Sequence, residues 1–187
     1  DPWLSTFSRF EADSERQEEK THIHLLLEEL PNDTDLFVGN SLAIRQLDTN
    51  AGSSDKPLHF HANRGASGID GNISTAAGIA ACRGRAVALI GDLTCQHDLG
   101  GLALTGGLNI VIVVVNNGGG GIFDHLPQHN LPEFIEGWRT PQNINFEHAA
   151  KAFGLGYSQA NSDEMFRQAL RSALTAGGPH LIELRHC

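Results

Sequence analysis

The segment Asn109-Ile-Val-Ile-Val-Val-Val-Asn-Asn-Gly-Gly-Gly-Gly121 is the strongest indication of the fold of this protein. Its apolar part, Ile110–Val115, has the length of a strand and falls far short of the roughly 20 apolar residues of a membrane span. The run contains no polar alternation, which indicates a strand buried on both faces. Two asparagines and four glycines end it, a pattern typical of a strand that leads into a tight loop.

Shorter apolar runs on both sides of this stretch predict further strands, and helical patterns separate them. The strands are expected at Asp35–Gly39, Leu58–His61, Ala86–Ile90 and His180–Arg185. The helices are expected from Ser14 to near Pro31 and at Ser41–Leu47, Ser74–Ala81, Asp98–Leu104, Phe146–Phe153 and Asp163–Thr175, with an irregular segment at 124–144. This alternation predicts an α/β fold, a mostly parallel sheet with helices on both faces. Ligands of such sheets bind beyond the carboxyl ends of the strands.

Size and composition limit the possible functions. The chain has 187 residues, 40% hydrophobic and 19% charged, which favours one domain, expected at 14–187 after an entry arm at 1–13. A net charge of -9 without any Lys/Arg run argues against binding to nucleic acid or to an anionic membrane. Three cysteines without a CxxC pair argue against a disulfide framework and fit a reducing cytoplasm. The sequence does not begin with Met and its first segment reads as a linker, so we expect a piece of a longer protein.

Polar residues follow two of the predicted strands at the edge where ligands bind. Gly91-Asp92 comes directly after the strand that ends at Ile90, and Asn116-Asn117 follows the next strand, with Asn117 placed 25 positions after Asp92. They offer a carboxylate and an amide oxygen, and the glycines let a main-chain carbonyl turn inward. Mg²⁺ binds such oxygens at about 2.1 Å and shares its coordination with phosphate and water. Two other interpretations stay open: Asp92 caps the next helix, or the Asn-Asn-Gly-Gly segment is a turn without a ligand.

A glycine-aspartate pair followed by two asparagines is the metal and diphosphate motif of thiamine-diphosphate enzymes, which this sequence resembles. Within them it resembles the 2-succinyl-5-enolpyruvyl-6-hydroxy-3-cyclohexene-1-carboxylate synthases of menaquinone biosynthesis, the MenD family. The matching segments are 39–48 (GNSLAIRQLD), 63–71 (NRGASGIDG), 91–99 (GDLTCQHDL), 116–127 (NNGGGGIFDHLP) and 141–155 (PQNINFEHAAKAFGL). The match is to the C-terminal, diphosphate-binding domain, so the pyrimidine-binding and middle domains of that family are expected to be absent from this sequence.

The resemblance implies a role for each matching residue. The metal, Mg²⁺ or Mn²⁺, would be bound by the side chains of Asp92 and Asn117 and by the carbonyl of Gly119. The diphosphate would be lined by Ser67, Gly91 and Leu93, and the rest of the cofactor would be propped by Ile69 and flanked by Ile122 and Phe123. The substrate carboxylates would be reached by Ser41, Arg45 and Arg64. Three positions depart from the family pattern: Leu93 replaces a glycine, Thr94 replaces a serine and keeps the hydroxyl, and Gly118 replaces a polar residue.

The two arginines also carry a physical argument of their own. Arg45 and Arg64 are among the few cations of an acidic chain, and each follows a predicted strand. A guanidinium group binds a carboxylate through two parallel hydrogen bonds, and the substrates that the resemblance implies, 2-oxoglutarate and isochorismate, are dicarboxylates. Structural ion pairs with Asp48 or Asp70 are the alternative, and the sequence leaves both possibilities open.

The histidines offer weaker patterns. Two histidine pairs have spacings that suggest zinc: His59 with His61, and His125 with His129. Neither pair has a carboxylate or cysteine that completes a recognisable ligand set, so a zinc site is not expected. His97 stands beside Asp98, and the two are candidates for a catalytic pair, but capping of a helix N-terminus by Asp98 is the simpler interpretation.

The activity that the resemblance implies is that of a transferase that joins decarboxylated 2-oxoglutarate to isochorismate, with thiamine diphosphate supplying the carbanion chemistry. No catalytic residue is expected in this sequence, because the activating glutamate of the family belongs to an N-terminal domain of a partner subunit. The chain alone is therefore expected to be inactive, and the full-length enzyme to be a homo-oligomer. Two alternatives remain: an acetolactate-synthase-like enzyme, which Arg45 and Arg64 disfavour, and a non-catalytic cofactor-binding domain.

Overall fold

A computed structural model describes residues 21–52 and 55–185 of the chain. Its strands are β1 (Thr34–Val38), β2 (Leu58–His61), β3 (Ala86–Gly91), β4 (Ile110–Asn116), β5 (Gly156–Ala160) and β6 (Pro179–Arg185). They form one sheet in the order β2-β1-β3-β4-β6-β5, and every neighbouring pair is parallel. The expected α/β fold class is confirmed.

The described residues form six α-helices, one before β1 and one in each of the five connections between successive strands. They are α1 (Thr21–Glu29), α2 (Leu42–Asn50), α3 (Asn72–Arg83), α4 (Asp92–His97), α5 (Phe146–Ala152) and α6 (Asp163–Ala176). Short 3₁₀ segments lie at Leu99–Thr105, Gly121–His125 and Pro127–Asn130, and a π-helical turn lies at Ile135–Arg139. Within residues 21–52 and 55–185, every helix is too short or too polar to cross a bilayer. The predicted entry arm at 1–13 and the first part of the first predicted helix, 14–20, lie outside the described residues.

Each face of the sheet has its own apolar core. Successive side chains of a strand point to opposite faces, so Val111 and Val113 of β4 enter one core while Ile110 and Ile112 enter the other. The first core is completed by α1, α2 and α6, and the second by α3, α4 and α5. Complete burial of such a side chain contributes about 1.5–3 kcal/mol. The sheet is thus covered on both sides, as the uninterrupted apolar run predicted.

The position of the candidate site follows from the strand order. The chain places β2 on one side of β1 and β3 on the other, so a crevice opens beyond the carboxyl ends of β1 and β3. The N–H of Gly39, just after β1, donates a hydrogen bond to the carbonyl of Leu89 at 2.8 Å. A Cβ at Gly39 would approach Cγ2 of Ile90 to 3.0 Å, so glycine lets the two strand ends lie close together.

Two local expectations were wrong, and a third holds at a different helix. The helix predicted at Asp98–Leu104 is a 3₁₀ segment, and α4 precedes it, because the helical conformation already begins at Asp92. Capping of a helix by Asp98 is confirmed, although the helix is α3 and not the segment that follows Asp98. Its Oδ2 accepts from the backbone N–H of Ser74 at 2.9 Å, one of the free donors in the first turn of α3. Strand β5 was not predicted, because only Ala160 of its residues is buried.

Candidate functional site

A cavity of 160 Å³ opens beyond the ends of β1, β3 and β4. Its walls come from the loop after β1, the start of α4 and the glycine run after β4. The residues selected from the sequence that line it are Ser41, Ile69, Gly91, Asp92, Leu93, Asn117, Gly119, Ile122 and Phe123. Ser67, Arg45 and Arg64 lie outside this lining.

Asp92 is the first residue of α4, and only 4% of its surface is exposed. Its Oδ1 accepts from the backbone N–H of Leu93 at 2.7 Å, and its Oδ2 accepts from the backbone N–H of Gly119 at 2.8 Å. Burial raises the pKa of Asp92, while these backbone donors and the positive charge of Arg139 oppose the shift. The carboxylate therefore ties α4 to the loop after β4.

Asn117 presents a buried side-chain oxygen to the same cavity. Its Oδ1 has no hydrogen-bond partner among the described residues. A buried acceptor left without a partner costs about 1–3 kcal/mol, so a cation or a donor at this position would satisfy it. The carbonyl of Asn117 is held separately, since Nη2 of Arg139 donates to it at 2.6 Å. Arg139 in turn forms an ion pair with Asp124.

The glycines after Asn117 are required by their surroundings. Gly119 has a φ of 129°, and a Cβ there would lie 2.5 Å from the carbonyl oxygen of Arg139. A Cβ at Gly121 would lie 2.5 Å from Nδ2 of Asn117. The carbonyl of Gly119 accepts from the N–H of Gly121 at 2.9 Å, and it keeps a second lone pair for a ligand. The loop thus folds close around the Asn117 side chain.

The cavity also has an apolar wall. Ile69 enters from the loop before α3, and Ile122 and Phe123 come from the 3₁₀ segment after the glycines. The Phe123 ring meets the ring of Trp138 edge-on at a centroid distance of 5.8 Å, which fixes its orientation. Ser67 is exposed, and its hydroxyl donates to the carbonyl of Arg64 at 3.4 Å.

Arg45 and Arg64 line a neighbouring cleft of 360 Å³. Nη1 of Arg45 donates to the carbonyl of Ser41 at 2.8 Å, and Nη1 of Arg64 donates to Oδ1 of Asn40 at 2.7 Å. Asn40 and Ser41 both line the first cavity, so the arginines stand at its rim. Within the described residues neither arginine forms an ion pair, so the alternative pairs with aspartate are not formed there. Ser41 itself has a φ of 67°, a strained conformation for a residue other than glycine.

The histidine pairs form no metal site in the part of the chain that the structure describes. That part holds no group of three or more His, Cys, Asp or Glu side chains that could bind a metal. Nε2 of His61 lies 2.7 Å from Oδ1 of Asp35, which also pairs with Arg83. Nε2 of His59 lies 4.0 Å from Oδ1 of Asp33. The histidines of β2 therefore face carboxylates of the β1 region.

Three residues that hold the site were not selected from the sequence: Asn40, Arg139 and Glu183. Asn40 is 3% exposed and is the acceptor for Arg64. Glu183 is completely buried, and its Oε1 accepts from Nδ2 of Asn116 at 2.7 Å. The sequence could have indicated Glu183, because a glutamate within an apolar strand is expected to be buried and paired. No local pattern indicated Arg139, because its partners, Asn117 and Asp124, are distant from it in the sequence.

The sequence matches one protein family over most of its length. Residues 46–184 match the family model described as the thiamine pyrophosphate enzyme, C-terminal TPP binding domain. The chain is 76% identical over 99% of its length to the 2-succinyl-5-enolpyruvyl-6-hydroxy-3-cyclohexene-1-carboxylate synthase of Dechloromonas aromatica, of which it covers 34%. It is 47% identical over 83% of its length to the synthase of the same name from Roseiflexus sp., of which it covers 28%. The resemblance stated from the sequence motifs is confirmed.

Solved structures agree on the fold. Benzoylformate decarboxylase from Polynucleobacter necessarius superposes with a TM-score of 0.76 at 16% identity, over 93% of this chain and 34% of that one. A thiamine diphosphate-dependent 4-hydroxybenzoylformate decarboxylase from Rhodococcus jostii gives a TM-score of 0.72 at 21% identity, over 90% and 32%. The chain spans about a third of the length of the curated relatives that it matches, up to 34%.

Proposed function

Because this chain belongs to the thiamine pyrophosphate enzymes and matches their C-terminal cofactor-binding domain, we propose that its cavity binds the diphosphate end of thiamine diphosphate through Mg²⁺ or Mn²⁺. The observation that carries the proposal is Oδ1 of Asn117, which has no hydrogen-bond partner within residues 21–52 and 55–185 and lines the same cavity as the buried Asp92. A cation between these groups would satisfy the amide oxygen and neutralise the carboxylate. The oxygen donors suit Mg²⁺, which binds few protein ligands and completes its shell with phosphate and water.

The residues of the cavity divide into polar and apolar roles. Asp92, Asn117 and the carbonyl of Gly119 would bind the cation. Gly91 and Leu93 flank Asp92 and line the cavity, where they would face the diphosphate, and Ser67 would join them from its exposed loop. The apolar wall formed by Ile69, Ile122 and Phe123 would pack against the cofactor beyond its diphosphate. When bound, thiamine diphosphate supplies carbanion chemistry that protein side chains lack.

The arginine cleft supports a dicarboxylate substrate. Arg45 and Arg64 have no carboxylate partner within the described residues, and both stand at the rim of the cofactor cavity through Ser41 and Asn40. We propose that they bind the carboxylates of 2-oxoglutarate and isochorismate, the substrates expected from the resemblance. The enzyme would then be a cytoplasmic transferase that joins decarboxylated 2-oxoglutarate to isochorismate.

In this proposal the chain contributes to catalysis by binding and orienting the cofactor. Among the described residues that line the cavity, the one carboxylate is Asp92, which is already assigned to the metal, so none is left to activate the aminopyrimidine of the cofactor. We propose that the activating glutamate is supplied by another domain of a second subunit, which makes the working enzyme a homo-oligomer. The 187-residue chain, supplied with cofactor, Mg²⁺ and both substrates, is then expected to show no turnover. Turnover by this chain alone would contradict the proposal.

The binding role is tested by calorimetric titration of thiamine diphosphate into the chain, with Mg²⁺ and with a chelator. We expect binding that requires the metal, and we expect Asp92→Ala to weaken it by more than about 100-fold, because a direct ligand matters at least as much as its supporting residues. Asp163→Asn is the matched control, since Asp163 is also the first residue of its helix but is exposed. Binding that survives in Asp92→Ala, or that ignores the chelator, would overturn the proposal.

A further inference from the structure

Glu183 is a carboxylate in an otherwise apolar stretch of β6. It is completely buried, and three side chains donate to it. Its Oε1 accepts from Nδ2 of Asn116 at 2.7 Å and from Nε of Arg185 at 2.6 Å, while its Oε2 accepts from the hydroxyl of Tyr157 at 2.5 Å. Although burial raises the pKa of Glu183, these hydrogen bonds and the charge of Arg185 outweigh it and hold the pKa below its usual value. Three donors facing two oxygens is an arrangement that favours the charged form of a carboxylate.

Asn116 connects this anion to the glycine loop. While its Nδ2 donates to Glu183, its Oδ1 accepts from the backbone N–H of Gly118 at 3.1 Å. Gly118 lies between Asn117 and Gly119, the two residues of this loop proposed to bind the cation. The chain of contacts runs from the buried carboxylate through one amide side chain to the middle of the metal loop.

A purely structural role does not account for this arrangement. A buried carboxylate carries a desolvation penalty that an apolar side chain at the same position would avoid, and replacement of buried ionic groups by apolar residues is often neutral or stabilising. The neighbours of Glu183 in the strand, Ile182 and Leu184, are buried apolar residues of that kind. What an apolar residue could not do is accept from Nδ2 of Asn116, so the amide whose Oδ1 holds Gly118 would lose its contact with β6.

We propose that Glu183 and Asn116 are positioning residues for the cation, setting the loop so that Oδ1 of Asn117 and the carbonyl of Gly119 face it. This inference rests on the proposed function. The Glu183 carboxylate accepts from the amide nitrogen of Asn116, so the amide oxygen must face Gly118. That bond anchors the loop from the sheet side, while Arg139 anchors it through the carbonyl of Asn117 from the other side.

The test measures Mn²⁺ affinity by electron paramagnetic resonance in the presence of thiamine diphosphate, a readout that does not depend on turnover. Asn116→Ala should weaken Mn²⁺ binding about 10-fold or more, as loss of supporting residues does in other metal sites. Tyr157→Phe is the matched control, because it removes one hydrogen bond from the same carboxylate on the side away from the loop. It should lower thermal stability and change the Mn²⁺ affinity less than about twofold.

An exchange of the two groups provides a rescue. Asn116→Asp alone places two carboxylates in contact and should weaken Mn²⁺ binding. Combined with Glu183→Gln, it restores a hydrogen bond of reversed direction, since the introduced glutamine would donate to the introduced aspartate, which still accepts from Gly118. Arg185 now donates to the same glutamate oxygen, and its side chain, which is 49% exposed, can turn to solvent in the double variant. The double variant should regain most of the Mn²⁺ affinity. Equal losses in Asn116→Ala and Tyr157→Phe, or no rescue, would overturn this inference and leave the cofactor proposal standing. Absence of Mn²⁺ binding in the unmodified chain would overturn both.

Discussion

The backbone N–H of Gly119 donates a hydrogen bond to Oδ2 of Asp92 at 2.8 Å, which joins the segments that follow β3 and β4. These strands are adjacent and parallel, with Gly91 opposite Val115, so their ends meet at one edge of the sheet. The contact sets the position of the glycine loop relative to the carboxylate without any ligand. The site is therefore partly organised in advance, which lowers the ordering cost of binding.

The Asn117→Ala variant should lose ligand binding without losing stability. Without metal, it removes a buried oxygen that has no partner in the described structure, so the free energy of unfolding should stay constant or rise by up to about 1 kcal/mol. With Mg²⁺ and thiamine diphosphate, the ligand-induced rise in melting temperature should disappear. Both quantities are read from thermal unfolding with and without ligand.

Asn145→Ala is the control for that experiment. Oδ1 of Asn145 caps α5 by accepting from the N–H of His148 at 2.8 Å, and loss of such a cap costs about 1 kcal/mol. This variant should be less stable but keep its ligand-induced rise. A rise that persists in Asn117→Ala would show that the amide oxygen binds nothing.

Two glycine substitutions should differ sharply. Gly119→Ala combines a positive φ of 129° with a Cβ only 2.5 Å from a backbone oxygen, and that oxygen moves only if the segment around Arg139 moves. Gly118→Ala has a positive φ of 77° but no atom near its Cβ. We expect a loss of about 1 kcal/mol for Gly118→Ala and a loss of about 3 kcal/mol or more, from combined strain and clash, for Gly119→Ala. Denaturant unfolding measures both, and equal losses would contradict the close packing of the loop.

The acid sensitivity of the fold should depend on Glu29. Its carboxylate is 8% exposed and pairs with Arg167 and Arg171 of α6. The hydrogen bond from Arg171 is the largest cause that lowers the pKa of Glu29 below its ordinary 4.5, and burial opposes it. A lowered folded-state pKa stabilises the fold above the unfolded-state value, and this contribution is lost as the pH falls through the folded-state value.

Glu29→Gln should therefore flatten the loss of unfolding free energy below the ordinary pKa of 4.5. Urea unfolding over a series of pH values from neutral downwards measures the slope. Glu133→Gln, which changes an exposed glutamate, is the control and should follow the unmodified chain. A Glu29→Gln curve parallel to the unmodified one would show that the ion pairs with α6 do not stabilise the fold.

Binding of a dicarboxylate should depend on both rim arginines. Arg45→Gln and Arg64→Gln should each weaken 2-oxoglutarate binding to the cofactor-loaded chain about 10-fold, since a charged hydrogen bond contributes about 1.5–3 kcal/mol. Arg83→Gln is the control, because Arg83 already pairs with Asp35 away from the cleft. Pyruvate, a monocarboxylate, should bind more weakly than 2-oxoglutarate. Equal binding of the two acids would favour the acetolactate-synthase-like alternative.

The sheet could be predicted in detail wherever burial imposes a pattern. The runs that became β3 and β4 are continuous and apolar because both faces are covered, and β1 and β6 keep shorter apolar stretches beside buried polar residues such as Asp35 and Glu183. Strand β5 gives no such signal, since it lies at the edge of the sheet and Gly156 and Gln159 are exposed. Edge strands need hydrogen bonds from one neighbour only, so their sequences are less constrained.

The candidate site was predictable to the same degree. Asp92 and Asn117 follow neighbouring parallel strands, so their meeting in one cavity is a consequence of topology. Ser67 and Arg139 belong to irregular segments, whose packing depends on contacts distant in sequence. Arg139 donates to the carbonyl of Asn117, which lies 22 positions away, and the residues around Arg139 contain no pattern that predicts this contact.

The central position of β4 has a consequence for hydrogen exchange. Its residues from Ile110 to Val115 are buried, and the strand is bonded to β3 on one side and β6 on the other. Amides of such a strand exchange only when the whole domain opens, whereas loop amides exchange through local fluctuations. The loop proposed to bind the cation thus directly follows β4, the strand whose amides are expected to exchange most slowly. Added protection on binding should appear at 117–121 and leave the strand itself unchanged.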